Sequence, residues 1–250
     1  YSAPTNGIMT NGALVRAGGR MDVTPGAVYS VSDPTNGGSP LFRCEDLWVG
    51  TNAVFNATAL GYWGGAWNTN GYGPGGGAYV NPRGGGAGYG GRGGRYTGPF
   101  GLTYGSSNAP IHPGSGGGGR GTADGSGGSG GGLVRIEAAR TCRIDGSIIV
   151  DGTNNGMHGA GSGGGIYIRC RSLSGSNGVL IANGGNASGN AASSGGGGRI
   201  AMWRRNDIRT GSWTVTADPG WTNEASDVSG EPGTIVWGFL RDPGTVFVIH

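Results

Sequence analysis

Apolar and polar positions alternate over short stretches of this chain and nowhere recur convincingly at helical spacing. Val134 and Ile136 fall on one side of an extended segment, as do Ile166 with Ile168 and Ile200 with Met202. A second short run follows each of these, pairing Ile148 with Val150, Leu180 with Ala182, and Trp213 with Val215. Such period-two runs predict strands. Glycine and proline interrupt the chain too often for long helices.

The runs belong to a repeat. Segments Gly131–Gly152, Gly164–Gly185 and Gly197–Gly220 each open on glycines, give a strand, a polar turn and a second strand, and leave through small residues. Their starts lie about 33 residues apart, the size of one unit in a stacked architecture. Pro40–Gly65 fits the same scheme, with Phe42-Arg43-Cys44 beside Ile168-Arg169-Cys170 and Leu47 beside Leu173. Ala13–Val31 reads as two further short strands. One such unit cannot bury its apolar face alone, whereas stacked units share a continuous core. The expected fold is a single all-β domain of β-solenoid or parallel β-helix-like layers with long glycine-rich loops. Its parts are N-terminal strands (1–70), a glycine-rich region (71–132), repeat layers (133–220) and C-terminal strands (221–250).

Composition sharpens this picture. The 250 residues include 62 glycines, which lack the three-residue period of collagen, and 7 tryptophans, which argue against disorder. The stretch GSGGGIYIRC (161–170) places its glycines before a strand. A phosphate-binding loop would place them after a strand and before a helix. Here they allow sharp turns and close backbone approach. The region 71–132 has a second option, extended polyproline-II-like chains bonded side by side.

All 17 basic residues are arginine, the net charge is only +3, and the arginines are scattered along the sequence. That excludes the dense basic footprint of a nucleic-acid binder. No run of 18 apolar residues predicts a membrane span. A chain that opens at Tyr1 without methionine fits a processed secreted protein, and equally a trimmed one.

Candidate chemistry is sparse. With three cysteines, at least one lacks an intrachain partner. Buried free thiols are one reading. A disulfide is the other, and Cys142 with Cys170 is the favoured pair because their repeats are consecutive. His112, His158 and His250 are far apart and read as surface residues. No GxSxG elbow supports a nucleophile. Glu45-Asp46 is an adjacent acidic pair. Asp145 and Asp151 each precede glycine and suit turns, although together with Asp124 they are the candidates for calcium, the one cofactor the sequence leaves open. Trp63, Trp67, Tyr72, Tyr79, Tyr89 and Tyr96 are interleaved with glycine and asparagine. They would fill space over glycine layers, or else stack on sugars or on another subunit, for which Trp63, Trp67, Tyr72 and Tyr89 are the candidates. Finally, Val246, Phe247, Val248 and Ile249 form a terminal strand apolar on both faces, which predicts docking onto a neighbouring copy.

The blocks GYWGG, GGGAGYGGRGGRY, YGSSNAPIHPGSGGGG, GGGLVRIEAARTCRIDGSIIVDG, GSGGGIYIRCRSLSGSNGVLIANGGN and GGGGRIAMW resemble, in this order, glycine-rich β-helix-like segments of large secreted or surface proteins of environmental bacteria, including planctomycete and verrucomicrobial relatives. The resemblance covers roughly 40–203. It implies an extracellular or cell-surface location and a repetitive β architecture, and it implies no reaction. The expected function is therefore non-enzymatic: a secreted structural subunit of a filament, sheath or surface layer, polymerising head to tail. The alternative is an adhesin or carbohydrate-binding module using the Tyr/Trp-Gly loops. A third reading is a polysaccharide lyase or hydrolase.

Overall fold

The structure, a computed structural model, describes residues 8–9, 13–81, 83–95, 99–121, 125–189, 192–223 and 229–241, with 8–9 as backbone alone. Among these residues there is no helix. Strands β1 (Ile8–Met9), β2 (Leu14–Arg16), β3 (Arg20–Val23), β4 (Gly26–Ser30), β5 (Leu41–Cys44), β6 (Asp46–Val49) and β7 (Ala53–Asn56) precede the glycine-rich region. That region holds the short antiparallel pair β8 (Tyr79–Val80) and β9 (Arg83–Gly84). Then come β10 (Leu133–Ile144), β11 (Ser147–Ile149), β12 (Gly165–Ser176), β13 (Val179–Ile181), β14 (Arg199–Arg204), β15 (Asn206–Thr210), β16 (Thr214–Thr216) and β17 (Thr234–Phe239).

Apart from that short pair, the strands form two parallel sheets. The nine-stranded sheet runs β17-β14-β12-β10-β5-β2, with β15 on β12 and β6 on both β10 and β3. The six-stranded sheet runs β1-β4-β7-β11-β13-β16. The chain alternates between the two sheets, and equivalent positions recur as Leu133, Gly165, Arg199 and Thr234. The polar stretch after Glu137 continues β10 as one strand instead of forming a turn. Its register slips between Ala138 and Thr141, and such a bulge bends a strand without ending it.

Register across passes builds the core as columns. Phe42, Ile136, Ile168 and Met202 lie in line, as do Cys44, Ala138 and Cys170, then Leu47, Cys142 and Leu173. All of these are buried. The six-stranded sheet contributes Val28, Phe55, Ile148 and Leu180, also buried. The inner faces meet where the Phe42 and Phe55 rings pack edge to face, centroids 4.9 Å apart. The expected inward positions are thus inward. Trp213 and Val215 are half-buried against the core at its end.

The columns end in charge. Met202 is followed by Trp237 on β17 and Leu173 by Asp207, and Arg204, one residue past the Arg169–Trp203 pair, takes the place next to Cys170. Arg204 Nη2 bonds Asp207 Oδ2 at 2.7 Å, and Arg209 Nε bonds Asp207 Oδ1 at 2.7 Å. The Arg204 guanidinium stacks on Phe239 (4.3 Å) and that of Arg209 on Trp237 (4.0 Å). Stacked, paired arginines can close an apolar interior because guanidinium is weakly hydrated and planar. The Arg209 hydrogen bond, acting against partial burial and with help from Arg204, pulls the Asp207 carboxyl down to about 2.

The glycine-rich region flanks the sheets. Its chains lie side by side and exchange backbone hydrogen bonds with the glycine segments of later passes: Gly128 N–H to Gly159 O (2.8 Å), Ala87 N–H to Ala160 O (3.0 Å), Gly196 N–H to Ala87 O (2.9 Å). A Cβ on Gly161 would overlap the Ser129 carbonyl. Glycine is required there because two backbones touch where a side chain would stand.

Candidate functional site

Residues with possible chemistry fall on two exposed surfaces and in several buried or part-buried groups. Among the glycine-region aromatics, Trp63, Trp67 and Tyr72 are exposed, and Trp63 meets Tyr72 edge to face at 6.3 Å. Tyr89 is not a stacking surface. It is fully buried, its ring lies 4.7 Å from that of Tyr104, and the Arg199 guanidinium sits 5.4 Å above it. Burial pushes its hydroxyl up, with the Arg199 charge only partly opposing. Arg199 Nε also bonds the Tyr104 carbonyl at 3.0 Å, and Trp203 Nε1 bonds the Asn108 carbonyl at 2.7 Å. Tyr89 therefore helps fasten the 99–113 loop over β14. Tyr96 lies outside the described residues.

The three cysteines are free buried thiols, and the expected Cys142–Cys170 disulfide is absent. The β10 bulge explains this: Cys170 stands opposite Ala138, while Cys142 stands opposite Leu173. Burial pushes the Cys44 thiol up to about 11 and the Cys170 thiol up to about 12. It raises Cys142 well above its ordinary value, with Cys170 and Cys44 adding to the effect. Inert thiols of this kind are core residues, not nucleophiles.

Asp145 and Asp151 serve the backbone. Asp145 accepts the Ser176 N–H (2.8 Å) and the Trp48 Nε1–H (2.8 Å), and it pairs with Arg143. Burial opposes its ionisation, but these donors outweigh it and hold the carboxyl low. Asp151 accepts the Asn183 N–H at 2.7 Å, and Asn183 in turn accepts the Asp218 N–H at 2.8 Å, a side-chain ladder between passes. Burial raises the Asp151 carboxyl against that bond. No group of three or more His, Cys, Asp or Glu suited to a metal occurs among the described residues, which do not include Asp124. His158 is buried, His112 lies near Tyr104, and His250 is outside the described residues, as are Val246, Phe247, Val248 and Ile249.

The second surface was not anticipated. A groove of about 400 Å3 crosses the outside of the nine-stranded sheet at the β10 bulge, with Ala138 and Ala139 in its lining. Arg43, Glu137, Arg169, Arg171 and Arg205 surround it, with Leu240 at one end. Arg43, Glu137 and Arg169 occupy one row across three neighbouring strands. Arg171 and Arg205 are held in the next outward row by the Arg205 N–H bond to the Arg171 carbonyl. Glu137 pairs with Arg43 (2.6 Å) and Arg135 (2.9 Å). These bonds overcome the cost of burial and keep its carboxyl below its ordinary range. Arg169 and Arg171 are exposed and have no carboxylate partner among the described residues. Arginines scattered in sequence are thus gathered in space. The signal for this was the alternate-residue spacing of Arg169 and Arg171, repeated against Arg43 and Arg205.

No protein-family model matches the chain, and no curated protein or solved structure is significantly similar to it.

Proposed function

We propose that this chain is a structural module of a secreted or cell-surface assembly, a β-solenoid of parallel β-helix-like layers that joins copies head to tail through strand contacts. One observation carries the reading: among the described residues the nine-stranded sheet is parallel throughout and its main path ends on β2 and β17, so a second copy with the same strand direction can extend it. Such a contact is heterologous and does not close, which gives an open filament. Exposed Leu14 on β2 and exposed Ile235 and Phe239 on β17 supply apolar area at the two edges. The Arg204–Asp207–Arg209 plug leaves β17 as the apolar element at that end. The resemblance of 40–203 to glycine-rich surface proteins supports an extracellular place for the assembly.

Negative-stain microscopy and sedimentation of the purified chain test the proposal. Filaments or concentration-dependent oligomers are expected. Ile235→Lys, and separately truncation before Thr245, should give folded monomers. A chain that stays monomeric at all concentrations, or variants that polymerise normally, would sink it.

A second reading is a glycan-binding adhesin, favoured by the exposed edge-to-face pair of Trp63 and Tyr72. Binding to a neutral-glycan array that disappears in Trp63→Ala would decide for it.

A further inference from the structure

We propose that the arginine groove at the β10 bulge binds a carboxylate-bearing polysaccharide chain lying across the strands. Arg43, Arg169 and Arg171 face Glu137 there, and that glutamate is already paired with Arg43 and Arg135. The groove therefore carries the charges of Arg169 and Arg171 in excess, on a molecule whose net charge is only +3. Arg169 and Arg171 have nothing to balance them among the described residues. Like charges brought close together oppose folding unless an anion joins them, so an uncompensated pair points to a ligand.

The residue type selects the ligand chemistry. Arginine offers a planar fork of donors that matches a carboxylate with two parallel hydrogen bonds. Rows one strand apart step by about 4.8 Å. Arg43 and Arg169 flank Glu137 on alternate strands, with Arg171 beside Arg169, so the guanidinium groups lie along a track in which the one carboxylate is already paired. A linear polymer with regularly spaced carboxylates meets such a track repeatedly, whereas a single small anion meets it once. Single-stranded nucleic acid suits the groove less well, because such ligands are bound by stacking bases on aromatic rings. The groove is lined by arginine, glutamate, alanine, cysteine and leucine, and the aromatic next in the same row, Trp203 beside Arg169, has its Nε1–H engaged by the Asn108 carbonyl. The exposed Trp63–Tyr72 pair belongs to a different surface. The inference also stands apart from end-to-end assembly, since Arg169 and Arg171 lie on the face of β12, inside the sheet, and only Leu240 of the groove adjoins the edge strand β17.

The test is titration calorimetry with polygalacturonate oligomers at low ionic strength, with dextran and single-stranded DNA as comparison polymers. Binding to polygalacturonate, weakening as salt is added and absent for dextran, is expected. Arg169→Glu and Arg171→Glu should each weaken it about tenfold, the scale of one lost charge-assisted contact. Arg95→Glu makes the same change in net charge outside the groove and should leave affinity within about twofold, because a distant exposed charge is screened. Circular dichroism melts confirm that the variants remain folded, which their exposed positions favour. Equal loss in all three variants would reduce the effect to net charge and overturn the proposal. So would no binding to polygalacturonate, or stronger binding to DNA that depends on the same two arginines.

Discussion

At the scale of single residues, burial decides behaviour more than residue type does. Ile168 is fully buried in line with Ile136 and Met202. Ile168→Ala should cost about 2–5 kcal/mol through lost transfer energy and the cavity left behind, read from urea unfolding. Ile168→Asp should cost more, because it buries an unpaired charge. The thiols follow the same logic. With their ionisation pushed up by burial, Cys44, Cys142 and Cys170 should resist Ellman's reagent in the native protein, and all three should react in denaturant. Fast labelling of the folded chain would contradict the core positions assigned to them.

Elements show how an end is made. In β14 and β15 the inward positions that carry Cys170 and Leu173 one pass earlier become Arg204 and Asp207. The two charges, with Arg209, replace apolar side chains there, and the Phe239 and Trp237 rings of β17 stack on the guanidinium groups. This plug carries a pH signature. The Asp207 carboxyl lies near 2 in the folded chain against an ordinary 3.8. A depressed carboxyl contributes stability that is complete above its unfolded value and is lost as pH falls through the folded one. Melting temperature should therefore drop between about pH 4 and pH 2. The drop should be smaller in Asp207→Asn, which has no carboxylate there to protonate. An identical pH profile for variant and parent would show that Asp207 is not linked to folding.

For the whole molecule, the glycine flank and the sheets form one hydrogen-bonded body. The insertion between β7 and β10 returns to bond with glycine segments of the later passes, so much of its glycine backbone is buried outside the two main sheets. Buried amides with fixed partners exchange only when the surrounding structure opens. The amides of Gly128 and Gly196 should thus be protected from hydrogen exchange about as strongly as those of β12, despite their loop-like sequence. Exchange at the rate of a free loop would mean that the flank opens independently of the sheets. The cost of ordering so many glycines is offset only if their hydrogen bonds form together with the core.

The sequence by itself determined the strand class, the inward positions and the matching of Phe42-Arg43-Cys44 to Ile168-Arg169-Cys170. These follow from period-two alternation and a repeat of fixed length, both local properties. It also held the extended, side-by-side option for the glycine region. Tertiary structure alone decided what depends on neighbours many residues away. The bulge in β10 set Cys142 against Leu173 and so removed the disulfide that consecutive repeats suggested. Packing against Tyr104 and Arg199 buried Tyr89, which composition could not distinguish from the exposed Trp63 and Tyr72. The groove arose because parallel register brings Glu137 and Arg169 from consecutive repeats into one row with Arg43, which lies 94 positions before Glu137 across the glycine-rich insertion. Charge spread evenly along a chain can therefore become a concentrated site once the chain folds back on itself in register.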